Sequence, residues 1–261
     1  MPQQLVDLSK PIRYNPKDPF FMRVKIKHKP HRKSRNLIRF FVGLPLKLWP
    51  RNFMGWADDT IEKMGVHATT HIDAPWHYSP TVGGKKAKTI DEIPLEWCHG
   101  PGVVIDMSHK ADFEEITIED LQQDLSRSGA QIVPGTIVLI RTDRDKLSGT
   151  PEFAELGTGM SAEATRWLIE QGIKVMGIDQ WGWDLPLKYM AQKARENNDP
   201  DYFWRAHLVG AELEYCHMEQ LTNLDKLPSH GFEVAVFPLK IEGASAAPAR
   251  VIAYLPEHAP A

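Results

Sequence analysis

Gly65–Tyr78 reads G-V-H-A-T-T-H-I-D-A-P-W-H-Y and places His67, His71, Asp73 and His77 within eleven residues. Imidazole and carboxylate are the ligands that borderline divalent ions such as zinc and manganese accept, and a hydrolytic metal keeps one position open for water. The segment therefore reads as a metal site. A helix through it is disfavoured by the Thr69-Thr70 pair and by Pro75. In an extended strand side chains alternate, so His67, Thr69, His71, Asp73 and, past a bend at Pro75, His77 would face one side. Five polar side chains on one face make a poor core, and three of the chain's 11 histidines fall in this one segment.

The pattern H-x-x-T-H-x-D-A-P-x-H resembles the signature of the cyclase family of metal-dependent hydrolases, which includes bacterial kynurenine formamidases and isatin hydrolases. Thr69 stands where that family usually has glycine. Two further stretches extend the resemblance over most of the chain. His207 and Glu219 lie twelve residues apart in H-L-V-G-A-E-L-E-Y-C-H-M-E-Q-L-T-N-L, and Pro238–Arg250 reads P-L-K-I-E-G-A-S-A-A-P-A-R, similar to the family's closing motif with Ala244 and Ala246 at usual glycine positions. The resemblance implies that His67, His71 and Asp73 bind a first ion. It implies that Asp73 and Glu219 are shared with a second ion, which His207 also binds, and that His77 shuttles protons. Zinc and manganese suit these ligands comparably, with one or two ions per subunit. A bound metal lowers the pKa of its water from about 15.7 to about 7 and polarises a carbonyl. A histidine with an ordinary pKa near 6.5 then suits the proton transfer.

Short apolar runs at Leu5–Leu8, Val103–Met107, Thr136–Ile140, Lys174–Ile178 and Glu233–Leu239 predict buried strands. Helices are predicted over Ile118–Leu125 after Thr117, over Ala162–Gln171 between Ser161 and Gly172, and over Leu187–Arg195 after Pro186. Mixed strands with few helices indicate an α/β or α+β class. The family resemblance implies more narrowly a swivelling β/β/α fold, with a mixed sheet core and peripheral helices.

Residues 1–261 carry no linker, repeat or low-complexity tract and read as a single hydrolase domain with an amphipathic insertion near 23–58. From Arg23 to Arg35 seven of thirteen residues are Lys or Arg, and Asn36–Trp49 is largely apolar. Such a segment suits packing over the site or against a second subunit, with a break at Gly43-Leu44-Pro45. A membrane-surface role is the less favoured reading, and the run is too short to span. A nucleic-acid arm lacks a binding fold, and a net charge of −3 gives no drive toward nucleic acid. Cys98 and Cys216 form no metal or disulfide pattern and Met1–Ser9 lacks a secretory leader pattern, so the expected location is cytoplasmic. The resemblance implies a homodimer or larger homo-oligomer.

Gly177–Asp184 follows a predicted strand, where sheet proteins place site loops. Trp181 and Trp183, with Trp76 inside the first motif, are candidates for binding a planar or aromatic substrate, and Gln180 for orienting it. The expected activity is metal-dependent hydrolysis of a small amide, lactam or lactone by metal-bound hydroxide, with His77 protonating the leaving atom. A metal-dependent lyase or isomerase acting by carbonyl polarisation, or a non-catalytic metal-stabilised module, are the alternatives.

Overall fold

A computed structural model describes residues 4–20 and 22–256, so the first three residues of the N-terminal stretch lie outside it. Two compact units form. One combines the residues up to Pro11 with those from Val66 onward, and the other is Ile12–Gly65.

The larger unit is built on eight strands: β1 (Gln4–Asp7), β2 (His71–Asp73), β3 (His99–Asp106), β4 (Ile137–Arg141), β5 (Val175–Ile178), β6 (Cys216–Glu219), β7 (Phe232–Pro238) and β8 (Ala246–Leu255). Their order is β1-β8-β7-β3-β4-β5-β6-β2, and β2 also pairs with β8, which closes seven of them into a barrel-like sheet with β1 on its outside. The β3-β4-β5-β6 run is parallel and the other pairings are antiparallel. This mixed α/β architecture is the class that the apolar runs and the resemblance imply.

Alternation along the strands sorts side chains into two cores. Val104, Ile137, Leu139, Val175, Met218, Val234 and Val251 fill the barrel interior. Their neighbours Val103, Ile105, Val138, Ile140, Met176 and Ile178 face outward against helices.

Counting from α1 (His31–Val42) in the smaller unit, the larger unit holds α2 (Pro75–Tyr78), α3 (Ile118–Ser128), α4 (Ala162–Glu170), α5 (Leu187–Asn197) and α6 (Arg205–Leu208). Thr117 caps α3 by accepting from the Asp120 N–H, and Ser161 caps α4 by accepting from Ala164. These are the predicted caps, and each satisfies an amide the helix leaves unpaired. No helix among the described residues is long and apolar enough to cross a membrane.

The insertion expected near 23–58 lies inside the Ile12–Gly65 unit. There Lys25–Lys29 pairs with Asp58–Lys63, and α1 ends where Gly43 turns left-handed at φ +62°, as the Gly43-Leu44-Pro45 break anticipates.

The first motif departs from a continuous strand. Only His71–Asp73 is extended, His67 sits in a turn, and Pro75 opens a single helical turn because its missing N–H is harmless at a first position. β8 was not predicted, since alanines and Pro248 argue against a strand. Pro248 lies where β8 changes partners from β2 to β7.

Ile72 lies between His71 and Asp73, has no exposed surface, and pairs with Met218 and Ala247 on either side. Ile72→Ala is expected to cost about 2–5 kcal/mol of stability in urea unfolding, the range for truncating a buried aliphatic side chain.

Candidate metal centre

Register builds the site. β6 runs antiparallel to β2 with His217 opposite Asp73 and Glu219 opposite His71. Directly opposed residues project to the same face, so two histidines and two carboxylates converge on the outer surface of the barrel, while Ile72 and Met218 point inward. On its other side β2 meets only Ala246 and Pro248 at those levels.

Three more imidazoles arrive from outside the strands. The turn before β2 brings His67 Nε2 to 3.2 Å from Asp73 Oδ1, α2 brings His77 Nε2 to 3.8 Å from Asp73 Oδ2, and α6 brings His207 Nε2 to 3.5 Å from Glu219 Oε1. The fold thus gathers His67, His71, Asp73, His77, His207 and Glu219 into one cluster. His217 stands among them and was missed by the sequence reading. Its Nε2 lies 3.2 Å from both Asp73 Oδ2 and Glu219 Oε1.

Donor atoms divide into two sets because each carboxylate splits its oxygens. Asp73 Oδ1 faces His67 and His71 Nε2 at 3.2 and 3.3 Å, and Glu219 Oε2 lies 3.6 Å from the same His71 nitrogen. Asp73 Oδ2 and Glu219 Oε1 face His217 and His207.

Four buried atoms, His67 Nε2, His71 Nε2 and both Asp73 oxygens, have no hydrogen-bond partner among the described residues. Buried polar groups are ordinarily paired, and an unpaired buried carboxylate is severely penalised. Tetrahedral ligands about 2.0–2.1 Å from a zinc ion stand about 3.3 Å from one another. The observed separations match that edge, so the residues fit a divalent cation. With no thiolate among them, zinc and manganese are both suitable.

Three of the candidate ligand imidazoles are oriented from behind. His71 Nδ1–H donates to the Thr69 carbonyl at 2.6 Å, which leaves Nε2 bare toward Asp73. Thr69 does not adopt positive φ, so glycine is not required there, and its hydroxyl donates to the Lys10 carbonyl at 3.4 Å. His207 Nδ1 bonds Asp184, which also accepts from the Ala206 and His207 amides at 2.8 and 3.1 Å. His217 Nδ1 meets the Tyr78 and Tyr215 hydroxyls at 3.1 and 3.3 Å. Such partners fix tautomer and ring direction and raise ligand basicity.

The other candidates separate. Trp183 has no exposed surface: its ring stacks on His217 at 5.1 Å, its indole N–H donates to Thr165, and its amide donates to Glu219 Oε1 at 2.9 Å. It therefore supports the ligands and has no face for a substrate, which corrects the substrate-contact expectation. Gln180 is buried and its amide donates to the Thr158 and Gly182 carbonyls, holding the loop. Trp181 is half-buried, edge-to-face with Phe153, and Trp76 is exposed beside His77. Trp204, unflagged by its sequence context, stacks on His207 at 4.4 Å and meets His77 edge-on at 5.4 Å.

Electrostatics follow from this crowding. Burial alone pulls His217 down, but the carboxylates of Asp73 and Glu219, each 3.2 Å away, prevail and push it up to about 9. His71 is raised against burial, chiefly by the charge of Asp73. Asp73 is held well below the usual carboxylate range despite burial, chiefly by the charge of His71. In the metal-free protein, a proton on His217 supplies positive charge to the carboxylates near pH 7, and the raised His71 is biased the same way. His77 differs. Burial takes it down to about 4, with Asp73 opposing, so it is neutral near pH 7.

Two outcomes follow for pH. Zinc binding at pH 7.5 is expected to release about one proton or more per chain, read by calorimetry in buffers of different ionisation enthalpy. Because the folded-state pKa of His217 is raised, its stabilising contribution to metal-free protein is full below about 6.5 and lost as pH rises through about 9. Thermal unfolding of chelated protein should weaken across that window, and zinc-loaded protein should not.

Residues 6–185 match the family model described as putative cyclase. Isatin hydrolase of Roseibium aggregatum is 29% identical over 205 residues, covering 74% of this chain and 73% of that protein. Kynurenine formamidase of Bacillus cereus is 22% identical over 209 residues, covering 78% of this chain and 83% of that one. Among solved structures, isatin hydrolase A from Labrenzia aggregata bound to benzyl benzoate superposes with a TM-score of 0.72 at 28% identity, over 98% of this chain and 94% of that one. With a family model spanning more than half of its length, a matching fold and a His/Asp/Glu cluster able to hold a metal, this chain belongs to the cyclase family.

Proposed function

We propose that this chain is a metal-dependent hydrolase that opens a small planar amide, lactam or lactone. The observation that carries the reading is the buried Asp73 carboxylate, faced at 3.2–3.8 Å by the nitrogens of four imidazoles, one of them a neutral histidine. Relatives named isatin hydrolase and kynurenine formamidase support the reaction class.

His67, His71 and Asp73 would hold a first zinc or manganese ion with Glu219. His207 and His217 would hold a second, with the remaining oxygens of Asp73 and Glu219. A cation bound there polarises a carbonyl and makes a coordinated water acidic enough to deprotonate near neutral pH.

Hydrolysis adds a water oxygen to the carbonyl carbon, breaks the C–N or C–O bond, and requires one proton to pass from that water to the leaving atom. His77 suits the transfer because it is unprotonated near pH 7, partly exposed, and adjacent to the cluster. Its ring lies 4.3 Å from that of His67. Trp204 meets His77 edge-on and Trp76, its sequence neighbour, is exposed, so flat apolar surfaces near the cluster favour an aromatic or otherwise planar substrate.

One observation favours a different role for His77: ligand atoms of His67, Asp73 and His77 all lie within 4.8 Å of one another, close enough for a shared ion. His77→Ala separates the two. As a proton carrier, its loss should lower kcat by about 10²–10⁴-fold with metal content unchanged; as a ligand, its loss should remove an ion.

Screening aryl formamides, cyclic imides, lactams and lactones in oxygen-18 water should give an acid product carrying one labelled oxygen. An unlabelled product would instead favour a lyase or isomerase working through the same polarised carbonyl.

A further inference from the structure

Of the groups surrounding the first set of donors, His67 alone lies on an irregular turn; His71, Asp73 and Glu219 are fixed by strands. Something outside regular structure must hold His67. Among the described residues, the hydrogen bond made to its backbone comes from Gln220, whose side-chain Nε2–H donates to the His67 carbonyl at 3.2 Å.

Gln220 is unusual in its own right. It directly follows Glu219, is buried, and adopts the left-handed conformation at φ +59°. Residues other than glycine, asparagine and aspartate visit that region rarely, and persist there only when surrounding contacts over-determine them.

The contacts are all present. Its amide donates to the Gln180 carbonyl at 2.9 Å, its carbonyl accepts from the Thr70 hydroxyl at 2.6 Å, and its side-chain Oε1 accepts from Lys10 Nζ at 2.8 Å. Lys10 is joined to the same turn, its amide donating to Thr70 Oγ1 at 2.9 Å. The left-handed residue therefore turns the chain at the end of β6 so that one side chain reaches from Lys10 to the carbonyl of a ligand-bearing residue.

We propose that Gln220 is a positioning residue that sets His67 for metal binding, with Lys10 orienting the Gln220 amide so that Oε1 faces the ammonium and Nε2–H faces His67. The proposal rests on the metal-hydrolase reading. It assigns Gln220 no contact with metal or substrate.

Chelator competition with zinc on the full chain tests it, because the readout does not depend on any substrate. Gln220→Glu keeps an oxygen for Lys10 but replaces the donor with an oxygen that faces the His67 carbonyl. Gln220→Asn suits left-handed backbone and folds readily, but its amide is one methylene too short to bridge both partners. Both variants should weaken the affinity of one zinc per chain about 10–100-fold, the range for losing a group that orients a ligand. Metal-free unfolding of Gln220→Asn should stay near that of the parent chain.

The deciding comparison is a double-mutant cycle with His67→Ala. If Gln220 acts through His67, Gln220→Glu has no further effect once the imidazole is gone. Parent-like zinc affinity in both Gln220 variants, or an equal loss with and without His67, overturns the proposal. A parent chain that binds no zinc or manganese overturns the functional reading as well, which distinguishes the two failures.

Discussion

Asp73 has no exposed surface and, among the described residues, its two oxygens face imidazole nitrogens at 3.2–3.8 Å, and the site is arranged around that fact. An ionised carboxylate taken from water without a partner costs several kcal/mol even after the protein relaxes. Carboxylates in such positions are normally protonated, yet the surrounding imidazoles hold this one well down in pKa. The fold has therefore placed a fixed negative charge where only positive charge can balance it. A proton on His217 helps meet that demand near pH 7, and a divalent cation would meet it with shorter, directed bonds.

Closure of the sheet makes this arrangement possible. β2 is three residues long and could not stand as an edge strand, but pairing with β6 on one side and β8 on the other pins its register. A slip of one residue would turn His71 and Asp73 into the barrel core and Ile72 outward. The apolar interior thus guards the metal face: Ile72, Met218 and Ala247 are buried in one core cluster, and their alternation with His71, Asp73, His217 and Glu219 leaves no second register that buries apolar side chains equally well.

Much of this was written plainly in the chain. Two of the larger helices have caps that satisfy specific amides, so Thr117 and Ser161 announced α3 and α4. His67–His77 is dense enough to read without a structure. The omissions have physical reasons. His217 sits two residues before Glu219, and strand periodicity would have placed them on one face, but C-H-M-E lacks the β-branched residues that mark strands. β8 was hidden by alanines and by Pro248. Asp184 and Tyr78 act on His207 and His217, distant in sequence, through contacts that exist only after the barrel closes. Trp183 illustrates the converse, since an aromatic residue in a site loop is equally suited to wall a pocket or to buttress a ligand. Burial decides, and burial is a property of the whole fold.

The two donor sets are not equivalent, and their difference separates structure from chemistry. His207 and His217 are buried, and each Nδ1 is engaged by a buried carboxylate or by phenol hydroxyls, so that side is rigid before any ion arrives. His67 and His77 keep 28% and 24% of their side-chain surface exposed, and one lies on a turn, the other on a single helical turn. That side of the cluster is therefore the more open to solvent. Rigid ligands favour affinity, whereas access favours reaction, and here a pair of carboxylates shared between the sets satisfies both requirements within one strand register. The more exposed side is also the one whose histidine turn accepts the Gln220 side-chain amide, and it lies outside regular structure.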